Sequence, residues 1–225
     1  MIDLRNRRVL LTHAADFMGP ALRDVFQELG AQVVCDDDPL VDPDAARRAV
    51  EAAGEIDILL AHLGVPAPST RATEVSDDEW RHAFAHMVDP LPRLVRAAAP
   101  RMVERRRGKI LVIGSASALR GIRRASTYSA ARGAQLAYAQ SVGVELAPHN
   151  VQVNAIAQNF VDNPTYFPPE VQALPAFQER LRREVPLGRL VSAREDAMFC
   201  AYLCSDAADC FVGQVFPVCG GWAPR

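Results

Sequence analysis

The sequence predicts an α/β fold in which one parallel sheet of six to seven strands is doubly wound, with helices on both faces. Three observations predict it. Short apolar runs of strand length alternate with helical patterns along the whole chain, as crossover helices between parallel strands require. Residues 8–35 already contain a complete strand–helix–strand unit. No repeat or linker-like stretch divides the 225 residues, so residues 1–225 are read as a single domain.

The elements follow in order. Arg8-Val-Leu-Leu-Thr12 is a short buried strand, Pro20–Leu29 a helix ended by Gly30, and Gln32-Val-Val-Cys35 a second strand leading into Asp36-Asp37-Asp38. Asp44–Ala53 is helical, and Asp57-Ile-Leu-Leu-Ala61 is a strand. Ser76-Asp-Asp-Glu79 has the spacing of a capping box, in which serine and glutamate satisfy each other's backbone donors. The helix it opens runs toward Glu104, with breaks expected at Pro90 and Pro92. Lys109–Gly114 is a strand, Thr127–Leu146 a long helix, and Val151–Ile156 a strand. Glu170–Glu184 and Ala193–Leu203 are helices, and Gln214–Val218 is the last strand, followed by Gly220-Gly221. Right-handed crossovers must join these strands.

Composition excludes several function classes. Net charge is −2 with no basic stripe, which argues against nucleic acid as a partner. No run of apolar residues is long enough for a membrane span,. Met1–Arg8 runs directly into the first strand, without the pattern of a signal peptide. The five cysteines are odd in number and contain no CxxC pair; reduced, mostly buried thiols in the cytoplasm are the simple reading. His82, His86 and Asp89 have ligand-like spacing on one helix but no supporting motif, so no metal is expected.

The chemistry centres on Ser115, which ends the Lys109–Gly114 run, on Tyr128 thirteen residues later, and on Arg132 four residues after that. Residues i and i+4 share a helix face, so the Arg132 guanidinium is placed near the Tyr128 phenol. A permanent cation there favours phenolate, which makes Tyr128 a candidate general base. Ser115 is the candidate neutral donor to the same substrate oxygen.

Serine followed by Tyr-x-x-x-Lys marks the short-chain dehydrogenases. With Arg132 in the lysine position, Ser115…Tyr128-x-x-x-Arg132 resembles the halohydrin (haloalcohol) dehalogenases, over nearly the whole chain. The resemblance implies a Rossmann-like scaffold, a catalytic Ser115, Tyr128 and Arg132, and conversion of vicinal haloalcohols to epoxides with release of halide. In reverse, small anions would open epoxides. It implies no nicotinamide cofactor and a homotetramer. Two other readings remain open: an NAD(P)-dependent dehydrogenase that carries arginine, and a non-catalytic relative.

Three departures from the dehydrogenase pattern favour the dehalogenase. The first turn reads Thr12-His13-Ala-Ala-Asp16-Phe17-Met18-Gly19. A dinucleotide turn needs glycines for close backbone approach to the pyrophosphate, yet His13 and Phe17 stand at two of their positions and only Gly19 remains. Phe17 then either fills vacated cofactor space and lines a halide pocket, or simply packs on the core. Between Cys35 and Asp57 there is room for one helix and no further strand; Asp36 is either a ribose-binding acid or a loop carboxylate. Ala61-His62-Leu63-Gly64 and Met87 stand where the parent family places asparagines.

Gln158-Asn159 replaces the Pro-Gly that the parent family shows after the sixth strand-like run. By resemblance, Gln158, Asn159 and Phe160 form a halide nest of backbone N–H groups, an amide and aromatic edges, a combination that suits a large, weakly hydrated anion. Asn159 could equally cap a turn. Tyr166 and Phe167 wall the pocket or pack the loop. Arg120, Arg123 and Arg124 are expected to be solvated, and Arg189 structural. The alanine-rich helix from Thr127, with the Trp80 helix, offers a face for helix packing between subunits.

Overall fold

The computed structural model describes residues 2–223. Six strands form one wholly parallel sheet: β1 (Arg8–Thr12), β2 (Gln32–Asp36), β3 (Ile58–His62), β4 (Gly108–Ser115), β5 (Val151–Gln158) and β6 (Val215–Val218). Their order is β2-β1-β3-β4-β5-β6. β1 therefore pairs with both β2 and β3, and the winding reverses between β1 and β3. In open α/β sheets, ligands bind beyond the carboxyl ends of the strands at such a reversal. A single helix joins β2 to β3, as the short sequence between them requires.

Among the described residues, eight α-helices surround the sheet: α1 (Gly19–Glu28), α2 (Ala45–Ala53), α3 (Asp77–Met87), α4 (Pro90–Glu104), α5 (Ser126–Leu146), α6 (Pro169–Gln172), α7 (Pro175–Glu184) and α8 (Ala193–Leu203). Side chains alternate between the two faces of each strand. Leu10 joins the core under α2, α4 and α5, while Val9 and Leu11 join the core under α1 and α8. Every residue of β3 and β4 is buried, because both faces of these central strands are covered.

The helix from Asp77 breaks at Val88-Asp89, as expected near Pro90, and α4 begins on Pro90, where proline loses no helical hydrogen bond; Pro92 lies within α4 and makes no second break. Two further features differ from the sequence expectation. The expected helix 170–184 divides at Leu174, whose extended ψ of 128° is what a following proline imposes. The Ser76 box is half-formed. Ser76 Oγ accepts from Glu79 N at 3.1 Å, but Glu79 turns its carboxylate to Thr127 Oγ1 at 2.8 Å and so ties α3 to the start of α5. The complete capping box lies at Ser192–Glu195, opening α8.

No helix among the described residues is long and apolar enough to cross a membrane. Cys200, Cys204 and Cys219 are buried, Cys35 and Cys210 are exposed, and all five are free thiols. Arg120 is not simply solvated: it donates to Trp222 O at 2.6 Å and lies over the indole at 4.7 Å.

Candidate active site

A cavity of about 350 Å³ opens at the carboxyl ends of β4 and β5. Parallel register sets Ser115 and Gln158, the last residues of these strands, side by side. The cavity brings together all nine residues singled out in the sequence: Ser115, Tyr128, Arg132, Phe17, Gln158, Asn159, Phe160, Tyr166 and Phe167. His62, Asn163 and Arg180 line it as well.

Ser115 is buried, and its Oγ accepts from Ser117 N at 3.2 Å, which leaves the hydroxyl hydrogen to donate elsewhere. One turn into α5, Tyr128 is buried with the Arg132 guanidinium carbon 5.0 Å from its ring centroid. Arg132 is buried too. It donates to Leu63 O at 2.8 Å, Ile113 O at 3.1 Å and Gln135 Oε1 at 2.9 Å. Its seat depends on Gly64, because a Cβ there would come within 2.8 Å of the guanidinium.

Gln135 is the residue the sequence reading missed. It is fully buried, and its amide nitrogen donates to Met87 O at 2.6 Å and to Leu63 O at 3.2 Å. It therefore fixes Arg132 against the backbone of β3 and α3. Its signal was legible: a polar residue three positions after Arg132 shares that helix face.

Tyr166 does more than wall the pocket. Its hydroxyl accepts from Ala67 N at 3.0 Å and is hydrogen-bonded to Tyr128. Burial first, and then the neighbouring Tyr128, push its pKa up, so Tyr166 stays neutral,. His62 lies opposite. Burial and then the Arg132 charge push its pKa down to about 3, so it is a neutral imidazole, with Nδ1 3.0 Å from His13 O.

The turn after β1 keeps its backbone path but not its glycines. His13 and Phe17 have φ of 46° and 47°, the left-handed region that glycine enters without cost. Gly19 must remain, since a Cβ there would lie 2.4 Å from Ala14 O. The Phe17 ring packs edge-on to His62 at 6.1 Å and tilted on Tyr166 at 5.4 Å. Three backbone donors of the turn are engaged: Ala15 N with Asp37 Oδ1 at 2.8 Å, Phe17 N with Thr165 Oγ1 at 3.4 Å, and Gly19 N with Asp16 O at 2.8 Å. Asp36 accepts from Asp38 N at 3.1 Å, as a loop carboxylate does.

The loop after β5 differs from the nest expected of it. The N–H groups of Asn159, Phe160 and Asp162 are taken by Val218 O, Asn159 Oδ1 and Val191 O. Asn159 thus caps its own turn through oxygen, and its amide nitrogen has no protein partner among the described residues. Gln158 Nε2 donates to Asp196 Oδ2 at 2.6 Å. Phe160 is buried between Phe167 and Trp222, with the Arg180 guanidinium 5.2 Å from its ring.

Asp196 lies behind this loop on α8, fully buried. Burial raises its pKa to about 7 against the lowering effect of the Gln158 and Cys200 hydrogen bonds. The His82 and His86 rings lie 4.1 Å apart and tilted on α3, and no group of three metal-ligating side chains occurs among the described residues.

With this geometry in view, the likenesses to known proteins take on meaning. A family profile described as enoyl-(acyl carrier protein) reductase matches residues 6–223. The chain is a short-chain dehydrogenase/reductase family member. Within that family its site has two kinds of relative. A solved structure titled "Dehalogenation enzyme" is 31% identical, with a TM-score of 0.92, over 99% of this chain and 100% of that one. A halohydrin dehalogenase bound to ethyl (2S)-oxiran-2-ylacetate is 26% identical, with a TM-score of 0.89, over 96% and 97%. The 3-oxoacyl-(acyl-carrier-protein) reductase of Salmonella typhimurium is 30% identical over 169 residues, covering 75% of this chain and 67% of the reductase. The short-chain dehydrogenase/reductase scaffold is thus common to both kinds; the side chains at the β1 turn and on α5 bear on which chemistry it serves.

Proposed function

We propose that the protein is a halohydrin dehalogenase that converts vicinal haloalcohols to epoxides, and opens epoxides with small anions in reverse. The observation that carries this reading is the pairing of Ser115, Tyr128 and Arg132 around one cavity with a β1 turn that does not fit a dinucleotide. In that turn Phe17 projects a ring into the cavity wall, and Asp37 holds a carboxylate on the amide a pyrophosphate would need,.

Ser115 donates to the substrate hydroxyl oxygen while Tyr128 takes its proton. The nascent alkoxide attacks the neighbouring carbon from the rear, a C–O bond forms, the carbon–halogen bond breaks, and halide departs with the bonding pair. Arg132, fixed by Gln135, stabilises the negative charge at the phenol oxygen, and the neutral Tyr166 holds that oxygen in line. The Asn159 amide nitrogen and the positive edges of Phe17, Phe160 and Phe167 suit the departing halide. No redox change occurs in this sequence of bonds. The same reading carries a homotetramer built on α3 and α5, where Trp80 and Val144 are exposed, in a cytoplasmic setting that keeps the thiols reduced.

The 30% identity to a ketoacyl reductase favours a second reading, reduction by a nicotinamide nucleotide. One experiment separates the two. Purified protein is given 1,3-dichloro-2-propanol without nicotinamide and halide release is followed, while NADH and NADPH binding is titrated in parallel. Halide release that disappears in Tyr128→Phe is the expected result. Nucleotide binding without halide release assigns the reductase.

A further inference from the structure

Asp196 has no role in the chemistry above, yet it is a buried acid joined to the cavity wall. Its side chain is fully buried, and Oδ2 takes both the Gln158 amide at 2.6 Å and the Cys200 thiol at 3.8 Å. Oδ1 has no partner. The groups packed around it offer no cation. Gln158 on β5 is neutral, and burial holds the Cys200 thiol well above its ordinary pKa. Arg194 and Arg189 at the start of α8 face outward in ion pairs with Glu28 and Glu195. Lys109, near Cys204, is paired with Asp209. An ionised carboxylate without a counter-charge is costly at such a position.

We propose that Asp196 is a positioning residue for the anion: ionised, it holds the Gln158 amide tightly and sets a negative charge behind the seat; neutral, it removes that charge and holds the amide only weakly. Halide binding and proton uptake at Asp196 are therefore coupled, and by reciprocity each strengthens the other. The inference rests on the haloalcohol reading, because it takes the ligand near Gln158 to be an anion. The ordinary pKa of a carboxyl would place this switch far below physiological pH; burial moves it to about 7. Halide release would then be easier at higher pH and epoxide opening by anions easier at lower pH.

The test is bromide binding, read as the saturable quenching of intrinsic fluorescence, since Trp222 packs on Phe160 at 6.1 Å. In the wild-type protein, affinity is expected to weaken roughly tenfold between about pH 6 and pH 8. Asp196→Asn, an uncharged isostere, is expected to bind at the acid-side affinity across that range. A second measurement needs no variant: bromide added in weak buffer near pH 7 should draw protons from solution. An unchanged pH dependence in Asp196→Asn, or no proton uptake by the wild type, overturns the inference and leaves the dehalogenase reading standing. Absence of saturable bromide binding at every pH removes the dehalogenase reading itself, and the inference with it.

Discussion

The two halves of the sheet's carboxyl edge have been treated in opposite ways. Beyond β1 and β3, side chains crowd the turn, and a separate cavity of about 310 Å³ lined by His13, Phe17, Asp37 and Gly64 remains beside it. His13 and Phe17 accept a left-handed backbone, Asp37, Thr165 and Asp16 take the turn's amides, and Phe17 packs on His62 and Tyr166. Beyond β4 and β5, polar atoms face a cavity: the Ser115 hydroxyl hydrogen and the Asn159 amide nitrogen without a protein partner, and the Tyr128 phenol bonded to Tyr166. The same strand–turn–helix path that elsewhere approaches a phosphate here supplies a wall. A fold can therefore change its chemistry by filling one half of its edge, with the backbone of that half left in place.

The largest expected effects lie in the open half. On the haloalcohol reading, Tyr128→Phe removes the proposed proton acceptor and should lower halide release by about 10³-fold, within the range for a general base, with the fold retained by circular dichroism. Arg132→Lys tests how far the open half depends on fork geometry. A lysine cannot serve Leu63 O, Ile113 O and Gln135 while keeping a planar cation over the Tyr128 ring,. Steady-state halide release should fall roughly tenfold in kcat with little change in KM. Nucleotide binding should not appear, because the β1 turn is unchanged. Gain of NADPH binding by Arg132→Lys would break the comparison, since the lysine alone would then decide the chemistry.

What was legible in the sequence follows the same division. The strands could be read from apolar runs, and the single helix between β2 and β3 from the short stretch between Cys35 and Asp57. Ser115, Tyr128 and Arg132 could be placed because a strand end and an i, i+4 helix pair are local features, whereas Phe17, Gln158, Asn159, Phe160, Tyr166 and Phe167 rested on the resemblance to the dehalogenases. Partners fixed by tertiary packing could not. Gln158 reads as an open amide until α8 brings Asp196 beneath it, 38 residues along the chain. Glu79 reads as a capping glutamate until α5 offers Thr127. The helix through Leu174 reads as continuous by periodicity, although Pro175 was there to forbid it,.

A smaller effect, on stability, tests the two halves through their buried ionisable groups. His62, lowered to about 3, binds its proton in the unfolded chain first, so it costs stability as pH falls below about 6.5,. Asp196, raised to about 7, binds its proton in the folded chain first. Its contribution is fully present below the ordinary value of 3.8 and is lost as pH rises toward 7,. Between about pH 4 and pH 6.5 the two slopes oppose each other, each amounting to about 3 kcal/mol. Urea denaturation of the wild type should therefore vary little over that range. Asp196→Asn should lose stability as pH falls, and His62→Asn should gain it. Exposed pairs such as Asp3–Arg5 and Glu195–Arg189 add the same screened slope to all three proteins,. Parallel profiles for the two variants would mean that neither group is buried as described.

The smallest effect separates two residues within the closed half. His13 and Phe17 carry the same backbone strain, of about 1–2 kcal/mol each. They differ in what offsets it. The His13 ring buries Nε2 without a partner, and His13 meets His62 through its backbone oxygen, 3.0 Å from Nδ1. Phe17 packs its ring on two cavity residues. His13→Gly should therefore stabilise the protein by about 1 kcal/mol, raising Tm by a few degrees, and leave halide release intact. Phe17→Gly relieves the same strain but removes the wall, so it should lower Tm and weaken bromide binding together. Neither glycine, nor both, should restore nucleotide binding, because Asp37 still holds Ala15 N at 2.8 Å. Binding of NADPH by the double variant would show that the two side chains alone close this half, with the carboxylate yielding to phosphate.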